Sequence, residues 1–179
     1  LLGVVDGSYT NRRVLRHLPD RVHLLGRTRK DIVLVAPAAP GGRRIYGERL
    51  PNPEAIRTDP GRPYLQVECH YGGARRTVRY KELSHVYWPT GGGRRLLRVF
   101  VLAPTPYQGP GRPGRVLYRD PAYLITTDLQ SSAQALIQAY LDRWQIEVLH
   151  RDLKSGLGRG QAQVWSDESV PRLHPAVVA

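Results

Sequence analysis

The chain has 179 residues, 41% of them hydrophobic, which is enough for a globular domain with a core of its own. Its 27 Lys and Arg against 15 Asp and Glu give a formal net charge of +12, and such an excess favours a polyanionic partner, most often nucleic acid. The single cysteine excludes an internal disulfide and a zinc site built from several cysteines. No apolar run approaches the ~20 residues that a membrane span needs.

The first 35 residues predict a strand, a helix and a second strand. LLGVVDGSY is apolar up to Asp6, NRRVLRHLP has helical spacing with a proline stop, and RVHLLGRTRKD is an apolar strand with a basic exit. A strand–helix–strand unit of this length favours parallel strands. Asp6 would then lie at the carboxyl end of a strand, where open α/β sheets place their sites. The alternative for Asp6 is an ordinary Asp-Gly turn.

Residues 36–120 are dense in proline and glycine, with short β-rich pieces such as PYLQVECHY and RRLLRVFVLAP between the turns. This pattern predicts an antiparallel insertion that does not belong to the parallel sheet. The segments GGGRR and GPGRPGR lack the spacing of a phosphate-binding loop and a following helix. We therefore predict tight basic turns at both.

A strand at AYLITTDL is followed by a long helix. Ser131 is the predicted N-cap, with Gln134 completing a capping box, and the helix is predicted to run through Lys154 and to stop at Gly156.

At ~100° per residue, one narrow stripe of this helix carries polar side chains and is flanked by apolar residues on both sides. The stripe consists of Tyr140, Arg143, Glu147, His150 and Lys154. Such a stripe suits a helix that is packed on both flanks and opens its polar row into a cleft. The alternative is a ladder of ion pairs, Arg143 with Glu147 and Glu147 with Arg151, which stabilises a helix without any further function. Spacing alone leaves both interpretations open.

The wording YLDRWQIEVLHRDLKSGLG places four of these residues at Tyr-x2-Arg-x3-Glu-x6-Lys. This resembles the Tyr-Arg-Glu-Lys signature of bacterial insertion-sequence transposases of the DDE type, which have a ribonuclease H-like fold. VVDGSY resembles the strand that carries the second catalytic Asp of that family, and a β-rich insertion typically separates this strand from the Glu helix. The resemblance covers most of the chain and is strongest over 120–165.

The resemblance implies an α/β fold: a ribonuclease H-like partial domain, a mixed sheet with helices, interrupted by a β-rich insertion. Its core would comprise 1–35 and 121–179, with the insertion at 36–120. Asp6 and Glu147 would be catalytic and would bind two Mg²⁺ (or Mn²⁺) ions, since phosphoryl transfer of this kind uses two ions ~3.5–4 Å apart. The DNA-contacting residues would be Tyr140, Arg143 and Lys154, with His150 and Arg151 ranked below them.

The implied reaction is cleavage of transposon ends by metal-activated water, followed by attack of the released 3′-hydroxyl on target DNA. The partners would be terminal inverted repeats and target DNA, with a homodimer on paired ends, in the bacterial cytoplasm at the nucleoid and without membrane association. The first catalytic Asp of the family would lie before Leu1, so the chain as given is expected to be a truncated or inactive fragment, and its enzymatic status is open. A non-catalytic basic nucleic-acid-binding module is the alternative function, and metal binding through Asp6 and Glu147 would distinguish the two.

Overall fold

The computed structural model describes residues 1–108, 116–118 and 120–143. Two compact units are present, Leu1–Tyr140 and Leu141–Ala179. In the second unit the described residues are 141–143, which are helical. No helix in these described ranges is long and apolar enough to cross a bilayer.

The strands of the described chain are β1 (Leu2–Val5), β2 (His23–Arg27), β3 (Leu34–Pro37), β4 (Tyr46–Leu50), β5 (Leu65–Tyr71), β6 (Ala74–Val86), β7 (Leu97–Leu102), β8 (Pro106–Gln108), β9 (Val116–Tyr118) and β10 (Ala122–Thr126). The helices are α1 (Arg12–His17), α2 (Pro53–Thr58) and α3 (133–143), and a 3₁₀ turn spans Gly7–Tyr9.

Six strands form one mixed sheet in the order β1-β2-β10-β7-β6-β5, while β3-β4 and β8-β9 are separate two-stranded sheets. β1 and β2 are parallel, and every other pair in the large sheet is antiparallel. The predicted α/β class with a mixed sheet is therefore confirmed, and the arrangement is compatible with a ribonuclease H-like domain that carries a β-rich insertion. The predicted separation of the insertion from the parallel sheet is wrong. β10 lies between β2 and β7 and pairs with both. Strands of the insertion and the parallel pair therefore belong to one sheet.

The parallel pair and α1 form the predicted strand–helix–strand unit. Asn11 caps α1, because its Oδ1 accepts the backbone N–H groups of Arg13 and Val14 at 2.9 and 3.2 Å. Gly26 in β2 permits the close approach, since a Cβ there would lie 2.6 Å from Thr10 Cγ2 and 2.8 Å from Val5 Cγ2. Thr10 also donates its hydroxyl to the carbonyl oxygen of Arg27. The chain segment after β1 is thereby held against the end of β2.

The two faces of the sheet differ in what covers them. One face carries an apolar cluster to which α2 and β3 contribute; its buried members are Ile32, Leu34, Ile56, Val86, Leu97, Val99, Val101, Tyr123 and Ile125. The alternate residues of β7, Arg98 and Phe100, point to the other face and are also buried. The start of α3 lies on this second face, because Arg98 Nη1 donates to the carbonyl oxygen of Ser131 at 2.6 Å.

α3 begins one residue later than predicted, and its N-cap is Ser132. Ser132 Oγ accepts the N–H of Ala135 at 3.1 Å, and the Ser132 carbonyl accepts the N–H of Leu136 at 3.1 Å. Ser131 is not the cap, because its hydroxyl and its N–H both bind Asp128. The predicted capping box is also wrong, since the Gln134 side chain binds β5. The predicted extension of the helix to Lys154 and its stop at Gly156 lie outside the described residues.

Two glutamines of α3 cover the open edge of β5. Gln138 accepts the N–H of His70 at 2.7 Å and donates to the carbonyl of the same residue at 2.8 Å. Gln134 donates to the Glu68 carbonyl at 2.8 Å. Four helical residues rise about 6 Å and two strand residues about 6.7 Å, so the two spacings match. The helix thus satisfies backbone groups that would otherwise be a template for edge pairing.

Candidate functional site

Asp6 directly follows β1 and is exposed. It caps the 3₁₀ turn, with its Oδ1 accepting the N–H of Gly7 at 2.6 Å. The parallel register pairs Val5 with Gly26, so Asp6 lies at the carboxyl end of both β1 and β2. Asp6 therefore makes the hydrogen bond of an ordinary Asp-Gly turn. It also lies at the carboxyl end of the parallel strands, where a functional site is predicted. One carboxylate oxygen is used in that turn, and the second faces solvent without a hydrogen bond to any described residue.

The predicted DNA-contacting residues are only partly described. Tyr140 and Arg143 lie on α3; Tyr140 is buried, with 9% of its surface exposed, and Arg143 is half-buried. Their spacing on a helix is as predicted, and their contact with DNA stays a prediction. The remaining site residues, Glu147, His150, Arg151 and Lys154, lie outside the described residues.

The described residues do not by themselves form a metal centre. Among them, no group of three or more His, Cys, Asp or Glu side chains is placed to hold a metal ion. The oxygen donor that Asp6 offers is of the type Mg²⁺ prefers. Metal binding by Asp6 stays a prediction, and the second predicted ligand, Glu147, lies outside the described residues.

Asp128 is a buried carboxylate that sequence reasoning missed. Its Oδ1 accepts the N–H groups of Gln130 and Ser131 at 2.9 Å each, and its Oδ2 accepts the Ser131 hydroxyl at 2.6 Å. Burial acts to raise the pKa of Asp128, but these hydrogen bonds and the nearby charge of His23 outweigh it, so the pKa is lowered. The signal in the sequence was Asp-x-x-Ser ahead of an apolar helix. Asp128 fixes the turn from which α3 starts.

A second carboxylate, Glu54 at the start of α2, is fully engaged. Arg57 donates to both of its oxygens at 2.9 and 2.6 Å, and the Tyr123 hydroxyl donates to one of them. Hydrogen bonds from Arg57 and Tyr123 lower the pKa of Glu54 to about 2. Burial and the bond to Glu54 raise the pKa of Tyr123 to about 12. These groups stabilise the fold and offer no free acid or base near neutral pH.

Tyr123→Phe is expected to reduce the free energy of unfolding at neutral pH by about 1 kcal/mol, the value of one hydrogen bond. Glu54 stabilises the fold fully above its unfolded pKa near 4.5 and loses that contribution as the pH falls to about 2. Tyr123 stabilises it below pH 10 and loses that contribution as the pH rises to about 12. The variant should therefore lose less stability than the wild type between pH 10 and about 12, and it should show a raised Glu54 pKa. Urea unfolding over a pH series and an NMR titration of Glu54 measure both effects.

Tyr9→Phe, at a tyrosine that is 58% exposed, is the control. Unchanged stability in Tyr123→Phe at every pH would contradict the assignment.

Exposed basic side chains are spread over the described surface, and they are the physical basis for a polyanion partner. They are Arg12, Arg13 and Arg16 on α1, Arg21, Arg29, Lys30, Arg43, Arg44 and Arg94 in loops, and Arg49, Arg75 and Arg79 on strands.

Comparison with known proteins adds one match. No curated protein and no solved structure is significantly similar to the chain. A family model described as "Archaeal putative transposase ISC1217", of the DDE transposases, matches residues 116–166. The matched segment contains β9, β10, α3 and the row from Tyr140 to Lys154. Over this segment the chain is thus similar to an archaeal transposase family, which supports a DDE transposase.

Proposed function

We propose that this protein is a DNA transposase that cleaves and joins DNA by metal-dependent phosphoryl transfer. The observation that carries the proposal is the match over 116–166, because it includes the residues spaced Tyr-x2-Arg-x3-Glu-x6-Lys. The matched family is archaeal, while the spacing resembles a signature of bacterial insertion sequences. The proposal needs only what the two share, the DDE class.

The position of Asp6 supports the same function from an independent part of the chain. It stands at the carboxyl end of the parallel pair β1 and β2, exposed, with an oxygen directed to solvent. We assign Asp6 and Glu147 as the metal-binding carboxylates. Two divalent ions bound there would activate water and stabilise the entering and leaving oxygens of the displacement.

The basic residues of the row have a separate role in the proposal. Arg143 and Lys154 would bind phosphates of the transposon end, and Tyr140, with 9% of its surface exposed, would donate a hydrogen bond from its hydroxyl. His150 and Arg151 would add further phosphate contacts. Terminal inverted repeats and target DNA are the proposed partners, with two copies of the chain on paired ends, at the nucleoid in the cytoplasm.

The test measures metal binding and DNA binding in the same set of proteins. Mn²⁺ is titrated into the wild-type chain and into Asp6→Asn and Glu147→Gln, with detection by electron paramagnetic resonance, and duplex DNA binding is followed by fluorescence anisotropy. Each variant should bind Mn²⁺ at least about tenfold more weakly. Substitution of a residue that only hydrogen-bonds to a metal ligand already lowers metal affinity about 10–100-fold. Both should still bind DNA through their basic surface. Glu48→Gln, an exposed carboxylate on β4, is the matched control.

Two results would contradict the proposal. DNA binding together with Mn²⁺ binding that neither substitution alters would indicate the non-catalytic nucleic-acid-binding module. Absence of DNA binding by the wild-type chain at low salt would exclude both functions.

A further inference from the structure

A basic pocket of about 610 Å³ lies between α1 and the turn that joins β6 to β7. Its lining residues are Leu15, Arg16, Asp20, Tyr46, Gly92, Gly93, Arg94 and Arg95. Three arginines thus face the pocket against a single carboxylate. The pocket includes the last four residues of the GGGRR segment, which is a turn as predicted and is followed by β7.

Two of the arginines are held in place without losing their charge. Arg16 Nη2 donates to the Pro89 carbonyl at 2.9 Å, and Arg95 Nη2 donates to the Leu18 carbonyl at 2.7 Å. Both acceptors are neutral, so these hydrogen bonds do not compensate the guanidinium charges, and other N–H groups stay available. Arg94 is exposed and forms no hydrogen bond or ion pair with the described residues.

The carboxylate at the rim compensates little of this charge. Asp20 Oδ1 lies 3.8 Å from Arg95 Nη2, and its side chain is fully exposed. An exposed pair at that distance is weak and is screened by salt.

The glycines are needed for the shape of the pocket. A Cβ at Gly91 would lie 2.2 Å from the Trp88 ring, so a side chain there would displace the turn. Gly93 has a φ of +59°, and a Cβ on it would lie 3.3 Å from Arg16 Nε. Glycine at 91 lets the turn fold against Trp88, and glycine at 93 lets the turn approach Arg16 of α1, which brings the arginines of both elements to one cavity.

We propose that this pocket binds a phosphodiester of the DNA backbone at a distance from the catalytic carboxylates. The proposal rests on the proposed function, since it names a further contact of the same DNA. A guanidinium group can donate two parallel hydrogen bonds to the oxygens of one phosphate. Arg16, Arg94 and Arg95 present three such groups around one opening. The volume is in the range of pockets that enclose a ligand larger than a phosphate, so a phosphate with its neighbouring sugar fits.

The position of the pocket makes it a separate contact. β7 runs parallel to β2, because each is antiparallel to β10. The turn before β7 therefore lies at the end of the sheet where β2 begins, opposite the end that carries Asp6. Arg12 and Arg13 precede Arg16 by four and three residues, so they share its side of α1 and extend the basic surface from the pocket towards the Asp6 end.

The experiment uses the salt dependence of DNA binding. Anisotropy titrations of a duplex oligonucleotide between about 50 and 200 mM KCl give the slope of log affinity against log salt, and one lost phosphate contact reduces that slope by about 0.9. Arg94→Gln should show this reduction and several-fold weaker binding at low salt. Asp20→Asn should shift affinity in the opposite direction, by up to about fivefold. Arg75→Gln is the matched control, an exposed arginine at the other end of β6 from the pocket turn, and it should change the slope less. All positions are exposed, so the variants should fold, which circular dichroism confirms.

The outcomes separate this proposal from the proposed function. If the wild type binds DNA while Arg94→Gln and Asp20→Asn match it in slope and affinity, the pocket assignment is wrong and the DNA-binding function stands. An equal loss in Arg94→Gln and Arg75→Gln would also overturn it, since net charge alone would then explain the effect. Binding of inorganic phosphate or ATP by calorimetry that is lost in Arg94→Gln, with DNA binding intact, would assign the pocket to a small phosphate ligand instead. If the wild type does not bind DNA, both proposals fail.

Discussion

Arg98→Ala is expected to lower the free energy of unfolding by about 3–5 kcal/mol, the cost of breaking a buried ion pair by removing one partner. Arg98 is 8% exposed, and its Nε donates to Glu82 Oε1 at 2.6 Å. Its Nη1 binds the carbonyl of Ser131, and its guanidinium lies 4.7 Å from the centre of the Phe100 ring. The substitution would leave a half-buried carboxylate and a backbone carbonyl without their donor, and it would remove the tie between β7 and the start of α3.

Thermal and urea unfolding measure this effect, and two further variants test its cause. Arg98→Met combined with Glu82→Met removes both charges and should recover much of the lost stability, because a buried pair contributes little compared with apolar residues of similar size. Arg29→Ala breaks the ion pair between Arg29 and Asp31, whose side chains are 82% and 53% exposed, and should leave the free energy of unfolding nearly unchanged. A loss in Arg98→Ala no larger than that in Arg29→Ala would mean that Arg98 does not organise the sheet.

Lys81→Met is expected to destabilise the fold by about 3 kcal/mol, because carbonyl groups at the end of α2 would lose a charged donor. Lys81 is 4% exposed, and its Nζ donates to the carbonyls of Ile56, Arg57 and Asp59 at 3.0, 3.1 and 2.7 Å. The ammonium also lies 4.6 Å from the Tyr64 ring centre. A cation at the carboxyl end of a helix is favoured by the helix dipole as well.

The same geometry assigns Lys81 a structural role. All three of its N–H groups are directed to backbone carbonyls, so none is available to a substrate. Unfolding in urea gives the loss in stability, and Lys30→Met, at an exposed lysine, is the control with an expected change within about 0.5 kcal/mol. A melting temperature for Lys81→Met equal to that of the wild type would contradict the assignment.

Local patterns predicted the elements whose partners are near in sequence. The strands on either side of α1 follow from short apolar runs, and the turn after Asp6 follows from the Asp-Gly pair. The cap of α3 was misplaced by one residue, because Ser131 and Ser132 are equivalent in a local pattern. Asp128 decides between them by binding Ser131.

The features that local patterns do not predict are formed by contacts between residues that are distant in the chain. Periodicity and charge are local properties, and they predict an α/β chain with a parallel pair, a basic surface, and a helix whose residue spacing resembles a transposase signature. The folded structure adds that β10 joins the insertion to the parallel pair, that Arg98 and Lys81 are buried with satisfied charges, and that the glycine turn and α1 enclose a basic pocket. These features depend on contacts between residues tens of positions apart, and no local pattern encodes which backbone groups will meet across that separation.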